Sequence, residues 1–87
     1  MKIHLVYSDK SLKDLAELPT QVSRRIFDKM DWFLAQDHPL RFAERLQGTM
    51  GTFCRFRVGD YRVICEEQHG AIRILMVITV RNRKDAY

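Results

Sequence analysis

The sequence predicts a small α+β domain in which a strand and helices precede a three-stranded antiparallel meander. Residues 3–7 alternate as a strand does, the following residues up to 46 carry apolar side chains at helical spacing, and from Thr52 onward the apolar period is two. The predicted order is strand, helix, helix, short helix, then three strands. A chain of 87 residues allows one domain and hardly two, so residues 1–87 are expected to form a single domain.

The first strand and the first helix follow from residue spacing and from one proline. Ile3, Leu5 and Tyr7 recur at a spacing of two, which predicts a short strand with one buried face. Ser8 and Ser11 are both of a residue type that caps helices, and the helical spacing that follows stops at Pro19. A first helix of about ten residues is therefore expected to end before this proline.

The second helix carries one apolar stripe, and a third helix is expected to be short. Thr20 is placed to cap the second helix. The apolar side chains of this helix recur at steps of three and four: Val22, Ile26, Met30, Phe33 and Leu34. Pro39 then suits the first position of a short third helix, which Gly48 is expected to close.

Gly59 and Asp60 predict a two-residue hairpin turn between the first two strands of the meander. Glycine at the first turn position favours a type II′ turn. The pairing that follows places Arg57 opposite Arg62. The expected core face consists of Cys54, Phe56, Val58, Tyr61, Val63 and Cys65.

A second two-residue turn, at His69 and Gly70, is expected to join the last two strands. This register places Glu66 opposite Arg73, where the carboxylate would neutralise that arginine. The face away from the core is then expected to collect Arg55, Arg57, Arg62, Arg73 and Arg81, with Ile64, Leu75 and Val77 among them.

This outer face is expected to be functional. Apart from Arg73, its arginines have no evident carboxylate partner in the sequence. Like charges directly opposed on a sheet, as for Arg57 and Arg62, destabilise it by up to about 1 kcal/mol, so stability alone would not select this pair. A face that is cationic and partly apolar suits an unpaired nucleic-acid strand or a wrapping protein partner.

Composition excludes several classes of protein. The longest apolar stretch, residues 74–78, is far shorter than the roughly 20 residues that cross a bilayer, so no membrane span is expected. The N-terminal segment lacks a secretory pattern, and we expect a cytoplasmic protein. Two cysteines without a CxxC or HxxxH spacing predict neither a disulfide scaffold nor a metal site, and no cofactor is expected.

The net charge of +4 is unevenly distributed along the chain. Residues 1–51 carry eight basic and seven acidic side chains, whereas residues 52–87 carry seven basic and four acidic ones. Six of the seven basic residues in the second segment are arginine. The C-terminal third is therefore where an anionic partner would be attracted.

Three segments resemble, together and in this order, the RelE/ParE superfamily of bacterial toxin–antitoxin systems. They are SLKDLAELP (residues 11–19), FCRFRVGDYRVI (53–64) and TVRNRKDAY (79–87). The hairpin pattern R-x-R-V-G-D-Y-R is the specific part, and the resemblance covers nearly the whole chain. It implies the same element order, with the first strand joining a mostly antiparallel four-stranded sheet and the helices packed on one face.

The RelE branch, which we favour for this chain, consists of ribosome-dependent, metal-independent endoribonucleases that cut messenger RNA in the ribosomal A site. In that branch the 2′-hydroxyl attacks the adjacent phosphate and leaves a 2′,3′-cyclic phosphate. Carried over by position, the resemblance implies a catalytic set of Arg62, Arg81 and Tyr87. It implies RNA binding by Arg55, Arg57, Arg83 and Lys84.

These residue types fit phosphodiester cleavage. Arg62 and Arg81 would hold the phosphate oxygens with bidentate guanidinium groups as charge develops on them. Tyr87 would stack on a base or exchange the 2′-hydroxyl proton, which requires the arginines to lower a phenol pKa that is ordinarily about 10. The enzyme branch often has lysines where this chain has Arg55 and Arg57, and arginine does not readily give up a proton, which argues against a general base there.

Two other functions stay open at this point. The ParE branch shares the fold and an analogous GDYR hairpin but inhibits DNA gyrase by binding to it. A basic RNA- or ribosome-binding module without catalysis would bind and not cleave. Tyr87 and the paired Arg55 and Arg57 favour the nuclease, whose partners would be the ribosome and messenger RNA. The resemblance also implies a cognate, RelB-like antitoxin whose helix covers the cationic surface.

Overall fold

The structure is a computed structural model that describes residues 2–46 and 52–85. Its elements are β1 (Ile3–Tyr7), α1 (Asp9–Ala16), α2 (Thr20–Leu34), a 3-10 helix (Pro39–Phe42), β2 (Glu44–Arg45), β3 (Phe53–Val58), β4 (Tyr61–His69), β5 (Arg73–Asn82) and a second 3-10 helix (Arg83–Asp85).

The strands within the described residues form one five-stranded sheet in the order β1-β5-β4-β3-β2. β1 runs parallel to β5, and every other neighbouring pair is antiparallel. The α+β class and the predicted order of helices and strands are therefore confirmed, with one short strand, β2, added at the sheet edge. Neither described helix is long and apolar enough to cross a membrane.

The two helices begin where the sequence places their starts, but only one of them is capped by a side chain. Ser8 Oγ accepts a hydrogen bond of 3.0 Å from the Ser11 N–H and so caps α1, as expected. The expectation that Thr20 caps α2 is wrong, because Thr20 is already the first helical residue and Pro19 precedes it without a side-chain cap. The fixed backbone of proline instead sets the entry to this helix.

The short third helix ends sooner than the sequence predicts. Its single 3-10 turn stops at Phe42, and Ala43 is already extended, with φ −102° and ψ 155°. Glu44 and Arg45 form β2, because the open edge of β3 offers them backbone hydrogen-bond partners that a helix would forgo. The expected closing residue, Gly48, lies outside the described residues.

The β3–β4 hairpin has the predicted register and turn position. Val58 faces Tyr61, and the pairing continues through Arg57 and Arg62. Gly59 has φ +59°, a left-handed conformation that side chains disfavour. The core face is as predicted, with Tyr61 half-buried at its end.

The β4–β5 register differs from the prediction because the loop holds three residues, 70–72, instead of two. His69 pairs with Arg73, and Glu66 lies opposite Met76, so the expected neutralisation of Arg73 by Glu66 is wrong. Glu67 is the carboxylate near that arginine, at 3.6 Å from its Nη2. An odd shift in register moves every side chain of a strand to the other face of the sheet.

The shift moves Leu75 and Val77 into the core, where both side chains are fully buried. The expectation that they lie among the outer arginines is therefore wrong. Arg73 shares the core side of β5 with them and lines a separate cavity beside the first 3-10 helix. It too is absent from the arginine face.

A bulge in β5 then reverses the alternation once more. Cys65 pairs with Val77 but Ile64 pairs with Thr79, so Ile78 is an extra residue on β5. Val80 consequently lies in the core, and Arg81 lies opposite Arg62 on the outer face. Arg81 thus lies on the expected face, but it does so because of the bulge, which the predicted alternation did not include.

The core lies between the helices and one face of the sheet. The predicted stripe of α2 supplies Ile26, Met30 and Phe33, and the ring of Phe33 lies 4.9 Å from that of Phe56. Cys54 and Cys65 face each other there as free thiols. Within residues 2–46 and 52–85, no helix covers the opposite face of the sheet, which displays the arginines.

Candidate functional site

Three arginines lie abreast on the uncovered face of the sheet. Arg57 on β3 is opposite Arg62 on β4, which is opposite Arg81 on β5. We call these three residues the arginine row. Neighbouring strands are about 4.8 Å apart, so the row spans about 10 Å across three strands. Like charges at directly opposed positions lower stability, so stability alone does not account for the row.

Glu44 is a carboxylate partner that the sequence did not reveal. Its Oε2 lies 3.0 Å from Arg55 Nη2, and its Oε1 lies 3.0 Å from Arg57 Nε. The expectation that Arg55 and Arg57 have no carboxylate partner is therefore wrong. The hydrogen bond and the charge of Arg55, with a smaller contribution from Arg57, hold the pKa of Glu44 below its usual value.

The pairing with Glu44 gives the two β3 arginines different roles. Arg57 stays 60% exposed, so part of its guanidinium group can still contact a ligand. Arg55 is only 23% exposed, and its Nε is buried with no hydrogen-bond acceptor in the described part of the chain. Arg55 therefore binds Glu44, which also binds Arg57.

Arg62 and Arg81 differ from the β3 pair in having no anionic partner among the side chains that the structure describes. Arg62 is half-buried between its neighbours, whereas Arg81 is exposed. Each guanidinium group is planar and carries five N–H donors, and in these two residues no described carboxylate competes with an incoming anion for them. This geometry suits the oxygens of a phosphate.

The segment after β5 brings two further predicted residues beside the row. The Arg83 N–H donates to the Asp60 carbonyl at 2.7 Å, and the Lys84 N–H donates to Asn82 Oδ1 at 3.0 Å. The first bond places the second 3-10 helix at the tip of the β3–β4 hairpin, the second is local to the segment, and Arg83 and Lys84 are exposed. The predicted Tyr87 lies outside the described residues, and its role stays a prediction.

A basic groove next to the row was missed by sequence reasoning. It lies between α2 and the β3–β4 turn, encloses about 580 Å³ and includes Arg57 in its wall. Lys29 Nζ sits 4.4 Å from the ring centroid of Trp32, which is 46% exposed. The other charged lining residues are Arg24, Arg25 and Asp28. These α2 residues are not members of the apolar stripe, and nothing in the sequence signals that they meet the hairpin.

The described residues offer cations and few proton acceptors near the row. They contain no cluster of three or more His, Cys, Asp or Glu side chains able to hold a metal ion. His69 lies 3.7 Å from Glu67 at the far end of β4, and His38 lines the separate cavity near Arg73. The arrangement can therefore bind and polarise an anion.

Several solved structures of similar fold come from toxin–antitoxin systems. The chain aligns with the RelBE2 toxin–antitoxin complex of Mycobacterium tuberculosis at 19% identity and a TM-score of 0.75, covering 95% of this chain and 100% of that one. It aligns with the archaeal RelE–RelB complex of Pyrococcus horikoshii at 27% identity and a TM-score of 0.71, covering 99% and 100%. The YoeB/ParE toxin of Agrobacterium tumefaciens is similar at 21% identity and a TM-score of 0.66, covering 94% and 98%.

The sequence itself also matches a family model. No curated protein is similar enough in sequence to be matched. The model described as the ParE toxin of the type II toxin–antitoxin system parDE matches residues 5–87, which is nearly the whole chain. The chain therefore belongs to the family of ParE toxins of type II toxin–antitoxin systems, within the RelE/ParE superfamily.

Proposed function

We propose that this toxin is a ribosome-dependent endoribonuclease that cleaves messenger RNA in the ribosomal A site. The 2′-hydroxyl of the substrate attacks the adjacent phosphorus, the bond to the 5′-oxygen of the next nucleotide breaks, and a 2′,3′-cyclic phosphate remains. The observation that carries this proposal is the pairing of Arg62 with Arg81, whose guanidinium groups face the same side of the sheet without a carboxylate among the described side chains.

Arg62 and Arg81 bind the non-bridging oxygens of the scissile phosphate. Negative charge grows on these oxygens as the fifth bond to phosphorus forms, so fixed guanidinium donors stabilise the transition state more than the ground state. Arg57 continues the row and binds the neighbouring phosphate, with Glu44 and Arg55 holding it in place. No metal ion is needed for this charge stabilisation.

The C-terminal residues complete the proposed site. Arg83 and Lys84 bind the RNA backbone beside the hairpin tip. Tyr87 stacks on a base or exchanges the proton of the 2′-hydroxyl, since arginine stays protonated and Glu44 is a weak base with a lowered pKa. The ribosome then supplies what a surface this open lacks, namely the fixed orientation of the RNA strand for in-line attack.

A cognate, RelB-like antitoxin is the second proposed partner. Solved neighbours of this fold include complexes with RelB antitoxins. A helix or strand with acidic side chains would neutralise the arginine row and thereby block access of RNA. We therefore expect the antitoxin to protect Arg62 and Arg81 from modification by phenylglyoxal.

Primer extension on messenger RNA after brief expression tests the nuclease proposal. With translating ribosomes we expect discrete cuts within codons, and without ribosomes few or none. Arg62→Ala and Arg81→Ala should each abolish the cuts while circular dichroism shows that the fold persists. Arg41→Ala is the matched control, because Arg41 is an exposed arginine on the first 3-10 helix and lies away from the row. Unchanged cutting by both row variants would refute the assignment.

Inhibition of DNA gyrase is the second candidate function, and the match to the ParE family model favours it. Purified toxin would then block gyrase-catalysed supercoiling of a relaxed plasmid. Growth arrest with inhibited gyrase and intact messenger RNA would select this function over the nuclease. Binding to ribosomes with neither cleavage nor gyrase inhibition would instead select a non-catalytic RNA-binding module.

A further inference from the structure

The edge of β5 changes partners at the bulge. β1 pairs with β5 as far as Tyr7 and Val77, and there the chain turns into α1. The Ser8 N–H donates to the Val77 carbonyl at 2.9 Å, and Ser8 Oγ donates to the Ile78 carbonyl at 2.8 Å. β1 no longer pairs with β5 beyond Val77. Polar groups at the start of α1 therefore make the backbone hydrogen bonds that a neighbouring strand would otherwise make with β5.

Asp14, six residues after Ser8 on α1, holds the residues that follow the bulge. Its Oδ2 accepts hydrogen bonds from Thr79 Oγ1 at 2.6 Å and from the Val80 N–H at 3.0 Å. Lys10 Nζ lies 3.0 Å from the other carboxylate oxygen. Burial raises the pKa of Asp14, but these three hydrogen bonds outweigh it and lower the pKa, so the carboxylate is ionised at neutral pH.

The bulge decides which face Arg81 occupies. Without the extra residue Ile78, strict alternation from Val77 would put Arg81 on the core side of the sheet. With it, Val80 packs in the core and Arg81 comes to lie opposite Arg62. The backbone groups of the bulge are held by Ser8 and Asp14, which are about 65 to 70 positions away in the chain.

We propose that Asp14 is a positioning residue for Arg81. Its carboxylate anchors Thr79 and Val80, keeps the bulge in register, and so holds the Arg81 guanidinium beside that of Arg62. This inference rests on the proposed anion-binding role of the row, but it predicts a structural change at Arg81 whether or not the protein cleaves RNA.

Binding of a single-stranded 2′-O-methyl oligonucleotide at low salt measures the effect directly. This probe lacks the attacking hydroxyl, so it stays intact. We expect Asp14→Ala to weaken binding about five- to tenfold, in line with the loss of one charge-assisted phosphate contact. Asp14→Asn, which keeps an acceptor for the Val80 N–H, should restore most of the affinity.

Two comparisons separate positioning from other effects of the substitution. Removing a negative charge should by itself tighten binding of the anionic oligonucleotide. Asp9→Ala, which removes an exposed charge on the same helix, should therefore bind the oligonucleotide more tightly, opposite to the effect expected of Asp14→Ala. In an Arg81→Ala background, Asp14→Ala should cause no further loss, because the guanidinium that it positions is gone. Equal losses in both backgrounds, or unchanged affinity of Asp14→Ala, would overturn the proposal.

Cross-strand nuclear Overhauser contacts between β4 and β5 provide a readout that is independent of RNA. In Asp14→Ala the contacts of the Ile64–Thr79 and Arg62–Arg81 pairs should weaken or shift, while those of Glu67–Leu75 persist. If these contacts shift and primer extension detects no cleavage, the positioning stands and the nuclease proposal fails. If all three sets stay as in the wild type, Asp14 does not position Arg81.

Discussion

Replacing Arg62 by glutamine is expected to stabilise the fold while removing the proposed activity. Arg62 is the middle member of the arginine row and has a directly opposed arginine on each side, Arg57 and Arg81. Opposed like charges cost about 0.2–1 kcal/mol for each pair. Glutamine keeps much of the aliphatic stem that packs on the sheet, so the change removes mainly the charge.

The size of the expected gain in stability follows from the two opposed arginine pairs and from the charge of Glu44. Because Glu44 already offsets part of the charge of Arg57, the Arg62–Arg81 pair should contribute most of the repulsion. We therefore expect a total gain of about 1 kcal/mol in the free energy of unfolding. For a domain of this size that gain corresponds to a rise of about 4–8 °C in Tm.

Thermal unfolding followed by circular dichroism at low and high salt checks this expectation. The Debye length falls from about 10 Å at 0.1 M salt to about 3 Å at 1 M, so the gain should shrink as salt increases. Arg41→Gln, which removes a charge away from the row, should change Tm little at either salt concentration. A lower Tm for Arg62→Gln at low salt, or a gain that salt leaves unchanged, would refute the view that the row is electrostatically strained.

Three further predictions concern the turn, one carboxylate and the thiols. Gly59→Ala should lower the free energy of unfolding by about 1 kcal/mol or more, because φ is +59° and a Cβ would lie 3.0 Å from Arg25 Nη2. Denaturant unfolding measures this change, and a stability equal to that of the wild type would show that the turn relaxes freely. The pKa of Asp14 is lower in the folded state, so its stabilisation is present above the unfolded pKa and is lost as pH falls through the folded value. Asp14→Asn should accordingly flatten the loss of stability below about pH 4, and an unchanged acid profile would contradict this. Burial raises the pKa of Cys54 to about 11 and raises that of Cys65 further, so neither thiol should react with Ellman's reagent until denaturant is added.

Local chemistry was enough to predict the β3–β4 hairpin, down to its residue pairs. Gly59 accepts a left-handed backbone at no steric cost, a two-residue turn fixes the register, and the alternation of apolar side chains selects the core face. The opposition of Arg57 and Arg62 follows from these local facts. This part of the candidate site could therefore be derived from the sequence.

The β4–β5 pairing could not be derived in this way. His69 and Gly70 fit a two-residue turn, but the loop takes three residues and closes with a hydrogen bond from the Gly70 N–H to the Ile72 carbonyl. The bulge at Ile78 has no local signal, because the groups that hold it belong to Ser8 and Asp14. Two irregularities, each of which reverses the alternation, happened to return Arg81 to the expected face.

Glu44 shows the same limit at the other edge of the sheet. The sequence around it predicts the end of a helix, yet pairing with β3 places this residue opposite Arg55.

The sequence alone determined the class of fold, the α2 stripe, the first hairpin and the arginine-rich strands, because these depend on periodicity and on turn residues close together in the chain. The tertiary structure decided which arginines keep a carboxylate and which face Arg81 takes, because both depend on hydrogen bonds between residues far apart in the chain, whose register no local pattern encodes.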